Sequence, residues 1–152
     1  MSTFDQTIAR LALYFEQVEG TLVLIGVCDD TVLREHVVQT LRQRLPSGIM
    51  LGEFCYDPGH LSLLEGATAV TEAKHKRPAV SATGLDTLPR DKRTEAIKLL
   101  NLQRNRLGRT GIAILLWVHR ATLAEISTAA ADFYSWRSAT LFFEPHQSGT
   151  CW

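Results

Sequence analysis

The sequence predicts an α/β fold, a three-layer sandwich in which a five-stranded parallel sheet carries helices on both faces. Two short runs, at residues 21–28 and 112–118, are apolar almost throughout, which is typical of parallel strands buried on both faces. Segments with helical periodicity separate the predicted strands. Strands and helices that alternate in this way favour a parallel sheet, and 152 residues fit a single α/β domain, 1–152.

The first predicted element is a leading amphipathic helix over residues 1–20. Its apolar residues recur every three or four positions and form one stripe: Phe4, Ile8, Leu11, Phe15 and Val18. Residues 3–6 have the form of a capping box, and Gly20 is well placed to end the helix. Because this helix precedes the first strand, we expect it to pack across the sheet or against a partner.

The next elements alternate regularly. The strand at 21–28 leads into a helix whose apolar residues extend from Val32 to Leu45, and Pro46 and Gly48 end it. A second strand is predicted at 49–56 and a third at 78–84. Residues 61–76 between them are harder to interpret, because they begin in helical form but contain Gly66.

The second half repeats the alternation. A helix is predicted over 89–107, entered through Pro89 and broken by residues 108–111. The strand at 112–118 follows, and then a short helix at 122–133 that starts with a capping-box pattern. A fifth strand at 140–144 precedes a polar tail, 145–152, that is expected to be loose.

Composition narrows the expected partners. Sixteen basic and sixteen acidic residues cancel, so no overall field attracts nucleic acid or an anionic membrane, and neither is expected as a partner. The three cysteines share no metal-ligand spacing, and two lie in apolar runs. No signal-peptide pattern and no apolar run of membrane-spanning length occur, which together predict a cytoplasmic protein without disulfides.

The junction after the first strand is the natural place for a phosphate site. A phosphate-binding loop needs several glycines, a lysine and a Ser or Thr hydroxyl, whereas this junction has Gly26, two aspartates and Thr31. Two carboxylates beside a triphosphate would repel it. Asp29 and Asp30 are therefore interpreted chiefly as helix caps, with a metal or ligand role as the weaker alternative.

Other candidate site residues carry weaker signals. Asp86 follows the third strand, where nucleotide hydrolases hold magnesium, but helix capping is again favoured. Arg104 shares a helix side with apolar residues and could reach an anion, although a surface arginine is the simpler interpretation. The five histidines lack metal-ligand spacing, and no nucleophile motif occurs. The sequence thus predicts no catalytic residue, no metal and no cofactor.

Aromatic residues cluster just before the last strand. Such a cluster usually completes a core and less often forms a partner surface. Together with the first helix, it supplies the candidate interface residues Phe4, Phe15, Phe133, Tyr134, Trp136 and Arg137.

Four segments of the second half carry a family resemblance: GLD at 84–86, LLNLQRNRL at 99–107, IAILLWV at 112–118 and AADFYSWRSATLFFE at 130–144. In this order they resemble the nucleotide-binding-type domain of bacterial STAND proteins, signalling ATPases allied to the NACHT and NB-ARC groups. The resemblance implies a P-loop-NTPase-like sheet of order 5-1-4-3-2. It also implies that strand 21–28 precedes the phosphate loop, that 79–83 is the strand of the magnesium-binding acid, and that 112–118 is the sensor strand.

The lysine of the phosphate loop has no counterpart here, and Thr31 is the one remnant of its hydroxyl. The expected function is therefore a non-catalytic protein-interaction or regulatory domain of a bacterial signalling or defence system. Its partner would be another protein, further domains of a longer chain, or a second copy.

The alternative is a nucleotide-binding protein or weak NTPase with an atypical phosphate loop. In that alternative, Arg104 or Arg137 supplies the missing positive charge. The nucleotide site would then comprise Gly26, Asp30, Thr31, Asp86 and Arg104.

Overall fold

The computed structural model describes residues 3–17, 20–71 and 77–144. Its helices are α1 (Thr3–Gln17), α2 (Thr31–Arg44), α3 (Leu63–Thr71), α4 (Arg90–Leu102), α5 (Arg104–Leu107), α6 (Arg120–Ala129) and α7 (Ala131–Trp136). Its strands are β1 (Leu22–Val27), β2 (Ile49–Cys55), β3 (Arg77–Thr83), β4 (Ala113–Val118) and β5 (Ala139–Phe142), and Leu85–Thr87 forms a 3₁₀ turn. Three parts of the predictions lie outside the described residues: the position of Val18 in the first helix, the end of the 61–76 segment, and the tail, 145–152. None of the described helices is long and apolar enough to cross a membrane.

The five strands of the described residues form one parallel sheet in the order β2-β3-β4-β1-β5. Read from its other edge this is 5-1-4-3-2, so the predicted order is confirmed. β1 pairs with β4 from Leu22 opposite Ala113 to Val27 opposite Val118, and with β5 on its other side. Every residue of β1 and β4 is buried, as their apolar runs predicted.

Side chains of β1 alternate between two cores, one on each face of the sheet. Val23, Ile25 and Val27 belong to the core under α3, α4, α6 and α7. Leu22 and Leu24 belong to the core under α1 and α2. Burial on both faces explains why the strand is apolar at successive positions. A sheet with helices on both faces is the predicted three-layer sandwich.

α1 packs across the sheet on the same face as α2. The residues of its predicted stripe that the structure describes are all buried: Phe4, Ile8, Leu11 and Phe15. Arg77, at the start of β3, donates from Nη2 to the carbonyl oxygen of Phe15 at 2.6 Å and from Nη1 to that of Glu16 at 3.3 Å. The carbonyl groups at the end of α1 therefore find partners in a side chain from the sheet.

Two helices that the sequence predicts as continuous are broken. The predicted helix 89–107 divides into α4 and α5 at Gln103, whose φ of −98° and ψ of 4° are not helical. The guanidinium of Arg104 donates to the carbonyl oxygen of Asn101 at 2.7 Å, an oxygen that a continuing helix would use. The predicted helix 122–133 begins earlier, at Arg120, and divides at Ala130, whose φ of −129° and ψ of 54° are not helical.

The segment that was hard to interpret contains α3, and Gly66 is what lets this helix approach β2. A Cβ atom at Gly66 would clash with the ring of Phe54. Glycine lowers helix propensity, but here the missing side chain makes room for a buried ring. The residue that weakened the helix prediction is thus needed for the packing of the helix.

Candidate functional site

The carboxyl ends of β1, β3 and β4 meet at one edge of the sheet, which we call the carboxyl edge. Open parallel α/β sheets bind their ligands there. Three of the connections that leave the sheet at this edge are residues 28–30 after β1, Gly84 and the 3₁₀ turn after β3, and His119 after β4. They bring Asp29, Asp30 and Asp86 to the place where a nucleotide site would have to form.

The connection from β1 to α2 consists of only three residues, Cys28, Asp29 and Asp30. Asp30 is the N-cap of α2, and its Oδ1 accepts a hydrogen bond from the main-chain N–H of Leu33 at 3.1 Å. A bound phosphate would use the same helix N-terminus, but a carboxylate of the protein already occupies it. The predicted capping role is confirmed for Asp30, and Thr31 is the exposed first residue of the helix.

Gly26 lies inside β1, where it pairs with Trp117 of β4 and Leu141 of β5. A Cβ atom at Gly26 would lie 2.8 Å from Cε3 and Cζ3 of Trp117. The indole is fully buried, and its Nε1 donates to Oγ of Ser81 at 3.1 Å. Gly26 therefore makes room for a core side chain, which corrects the alternative that placed it in a nucleotide site.

The other two aspartates both bind the N-terminus of α6. Oδ1 of Asp86 accepts the main-chain N–H of His119 at 2.8 Å, and Oδ1 of Asp29 accepts that of Arg120 at 3.0 Å. The Asp86 side chain is only 7% exposed. The sequence predicted that these residues cap a helix, but the helix they cap is distant in the chain, because the fold brings the β1, β3 and β4 connections together.

Arg120 links the acidic residues of the carboxyl edge. Its guanidinium pairs with the carboxylate of Glu144, and its Nε lies 3.9 Å from Oδ2 of Asp29. It also lies over the ring of Phe142, with Cζ 5.2 Å from the ring centroid. Two carboxylates therefore share this charge.

Within the described ranges, no three His, Cys, Asp or Glu side chains cluster in a way that could hold a metal ion.

The two arginines that the nucleotide alternative needs lie at the opposite, amino edge of the sheet. α4 starts near the carboxyl edge and runs back across the sheet, so Arg104 follows its far end, where Nη2 lies 3.8 Å from Oδ2 of Asp132. Arg137 lies two residues before the start of β5, and its Cζ lies 3.8 Å from the centroid of the Tyr134 ring. Neither can neutralise a phosphate beside residues 26–31, which corrects that part of the alternative.

Half of the predicted interface residues are core residues. Phe4, Phe15 and Phe133 are buried, because large aromatic side chains gain most from burial, and they cannot contact a partner. That part of the interface prediction is corrected. The other three retain exposed surface: Tyr134, Trp136 and Arg137.

A buried tyrosine at the end of β2 was missed by the sequence reasoning. Tyr56 packs edge-on against Phe54, with ring centroids 5.0 Å apart, and its hydroxyl has no hydrogen-bond partner among the described residues. Burial raises the pKa of Tyr56 well above its usual range. The sequence signals only that a tyrosine follows an apolar strand, so an unpaired hydroxyl could not be predicted from it.

This tyrosine should make the free energy of unfolding depend on pH above about 10. The folded protein keeps a phenolic proton that the unfolded chain releases, so the contribution is complete below about pH 10 and is lost as the pH rises further. Urea unfolding at increasing pH should show this loss, and Tyr56→Phe should make it smaller. The buried thiol of Cys28, whose pKa is also raised by burial, should account for a remainder. At neutral pH the same variant should be up to about 1 kcal/mol more stable, because an unpaired buried hydroxyl is gone.

The matched control is Tyr134→Phe, since Tyr134 is only half-buried. It should leave the alkaline loss of stability unchanged. A Tyr56→Phe protein that loses stability with pH as steeply as the unaltered protein would contradict the burial of this hydroxyl.

Comparison with solved structures identifies the architecture. The ORC1 protein of Aeropyrum pernix, solved in complex with DNA, superposes with a TM-score of 0.54 over 95% of this chain, at 14% sequence identity. The chain has a P-loop NTPase-like fold. It spans about half of the ORC1 chain, 46%, and at this identity the likeness shows the fold alone.

A second solved structure, the DnaC helicase loader, matches over 91% of this chain and 87% of its own, at 16% identity and a TM-score of 0.43. The sequence matches no protein-family model and no curated protein.

The comparison with ORC1 also corrects the expected partners. The cancelling charges led to the expectation that nucleic acid is not a partner, but a protein of the same fold was solved in complex with DNA. That expectation was wrong. The net charge is a sum over the chain and does not describe how charge is distributed between the two edges of the sheet.

Proposed function

We propose that this chain is a non-catalytic regulatory or adaptor domain of a bacterial signalling or defence system, built on a P-loop NTPase-like fold that does not bind nucleotide. One observation carries the proposal: the Asp30 carboxylate occupies the N-terminus of α2, where the phosphates of a nucleotide would be bound. The resemblance of residues 84–144 to STAND proteins supports the signalling context.

The electrostatics of the carboxyl edge support the same conclusion. Carboxylates of the protein bind the N-termini of two of the helices that start there, Asp30 on α2 and Asp29 and Asp86 on α6. A triphosphate would have to displace these side chains and would be repelled by their charges. The first lysine of the chain is Lys74, so neither the connection after β1 nor α2 holds a lysine that could neutralise a phosphate.

The proposed protein partner would contact the outer face of α1. Leu13 is 49% exposed on that face and borders a cavity of about 400 Å³. The cavity is lined by Arg10, Leu13, Tyr14, Gln17 and Leu22. An exposed leucine beside such a cavity provides apolar surface for another protein, for further domains or for a second copy.

Isothermal titration calorimetry with ATP, ADP and GTP in the presence of magnesium tests the proposal. We expect no saturable heat up to about 1 mM nucleotide, which corresponds to a binding free energy weaker than about −4 kcal/mol. Saturable binding in the micromolar range would overturn the proposal.

A further inference from the structure

Basic residues are concentrated in one stretch of the chain although the total charge is zero. From Ala96 to Ala124 there is no Asp or Glu, and the same stretch contains five basic residues: Lys98, Arg104, Arg106, Arg109 and Arg120. Arg120 belongs to the carboxyl edge, whereas α5 and the loop after it place Arg106 and Arg109 at the amino edge. The amino edge is therefore basic, whereas the carboxyl edge carries the three capping aspartates.

An exposed tryptophan lies among these arginines. Leu107 and Gly108 separate Arg106 from Arg109 in the chain, and a Cβ atom at Gly108 would lie 3.0 Å from Cζ2 of Trp136. The Trp136 side chain thus rests against the loop, with its ring 6.1 Å from that of Phe133, yet it remains 40% exposed. Burial against Phe133 fixes the indole without covering it.

The charges around this indole are available to a ligand. Arg104 is partly neutralised by Asp132, but Arg106 and Arg109 are exposed, and no ion pair of theirs occurs within the described part of the chain. Arg137 lies over the Tyr134 ring and donates to the carbonyl oxygen of Tyr134 and to the hydroxyl of Thr140. Those bonds hold its charge in a fixed position, on the residue that follows Trp136 in the chain.

We propose that Arg106, Arg109, Trp136 and Arg137, which we call the Arg–Trp face, bind single-stranded nucleic acid. Guanidinium groups pair with phosphates, and an exposed aromatic ring stacks on an unpaired base. Paired bases within a duplex do not offer a free face to such a ring, so a single strand fits the face better than a duplex. An acidic protein segment would use the arginines but has no need of the exposed indole.

Fluorescence anisotropy with a labelled oligothymidine tests the proposal, with a duplex of equal length and polyglutamate as competitors. We expect saturable binding that weakens steeply between about 50 mM and 200 mM salt. Log K, where K is the association constant, falls with log salt, and the double variant Arg106→Ala, Arg109→Ala should make this fall shallower. The magnitude of the slope should decrease by about 1.4, since each lost phosphate contact contributes about 0.7 for a single strand. Trp136→Leu should weaken binding about tenfold with the slope unchanged.

The matched control is Arg90→Ala. Arg90 is an exposed arginine at the start of α4, near the carboxyl edge, and its loss should leave the affinity unchanged. All of these positions are exposed, and circular dichroism should confirm that each variant folds. The proposal would be overturned if the protein showed no saturable binding at low salt. It would equally be overturned if neither the double arginine variant nor Trp136→Leu weakened the binding. The proposal would also be overturned if polyglutamate competed as well as the oligonucleotide and Trp136→Leu left the affinity unchanged. The Arg–Trp face would then suit an acidic protein.

Discussion

Gly26→Ala is expected to lower the free energy of unfolding by about 2 kcal/mol, and by more if the sheet cannot relax. The new methyl group would lie 2.8 Å from the ring of Trp117. That ring is 1% exposed and is held by its hydrogen bond to Ser81, so it cannot move aside without disturbing the core. Urea unfolding monitored by circular dichroism measures the effect.

A double-mutant cycle shows whether the indole is the cause. Trp117→Leu shortens the side chain that the new methyl group meets, so Gly26→Ala should cost much less in that background, with a coupling of at least about 1 kcal/mol. Gly48→Ala is the control, because a Cβ atom there meets nothing within 4 Å. Additive losses in the cycle, or a Gly26→Ala protein as stable as the Gly48→Ala protein, would show that Gly26 is not a packing glycine.

Asp86→Ala should lower the free energy of unfolding by about 2 kcal/mol. The substitution leaves the N–H of His119 without its acceptor in a site where the Asp86 side chain is only 7% exposed. It also removes a negative charge from the N-terminus of α6, where the helix dipole favours one. Chemical unfolding measures the loss, and hydrogen exchange at the start of α6 should accelerate.

The graded controls for this prediction are Asp86→Asn and Asp29→Ala. The amide oxygen of asparagine can still accept the bond from His119, so that change should cost less than about 1 kcal/mol. Asp29 is more exposed than Asp86, so its loss should be the smaller of the two alanine effects. An Asp86→Ala protein within about 0.5 kcal/mol of the unaltered protein would mean that Asp86 does not stabilise α6.

The sequence predicted the sheet well because burial on both faces leaves a strong pattern. The uninterrupted apolar run of β4 identified a central strand, and the stripe from Phe4 to Phe15 identified α1 as a packed helix. The helix breaks at Gln103 and Ala130 could not be predicted in the same way. They are breaks in backbone conformation, at Gln103 and Ala130, that leave no mark in the spacing of the apolar residues.

The residues of the candidate site were harder to assign than the strands. The position of Asp30 just before a predicted helix was sufficient to predict its capping role, because Asp30 caps the helix that follows it. Position in the chain was insufficient for Asp86, whose helix begins more than thirty positions later. The aromatic interface prediction failed at Phe133 because composition cannot separate a buried ring from an exposed one. Trp136, three positions further on, is the exposed member of that cluster.

The most direct test of the central claim, that protein carboxylates occupy the carboxyl edge in place of nucleotide phosphates, is an NMR titration with MgATP. It follows the main-chain amides of residues 31–33 and 119–120, the N-termini of α2 and α6. We predict no saturable shift of these amides up to about 1 mM nucleotide. Saturable shifts confined to these residues would show that phosphate displaces the aspartates, and would contradict the account.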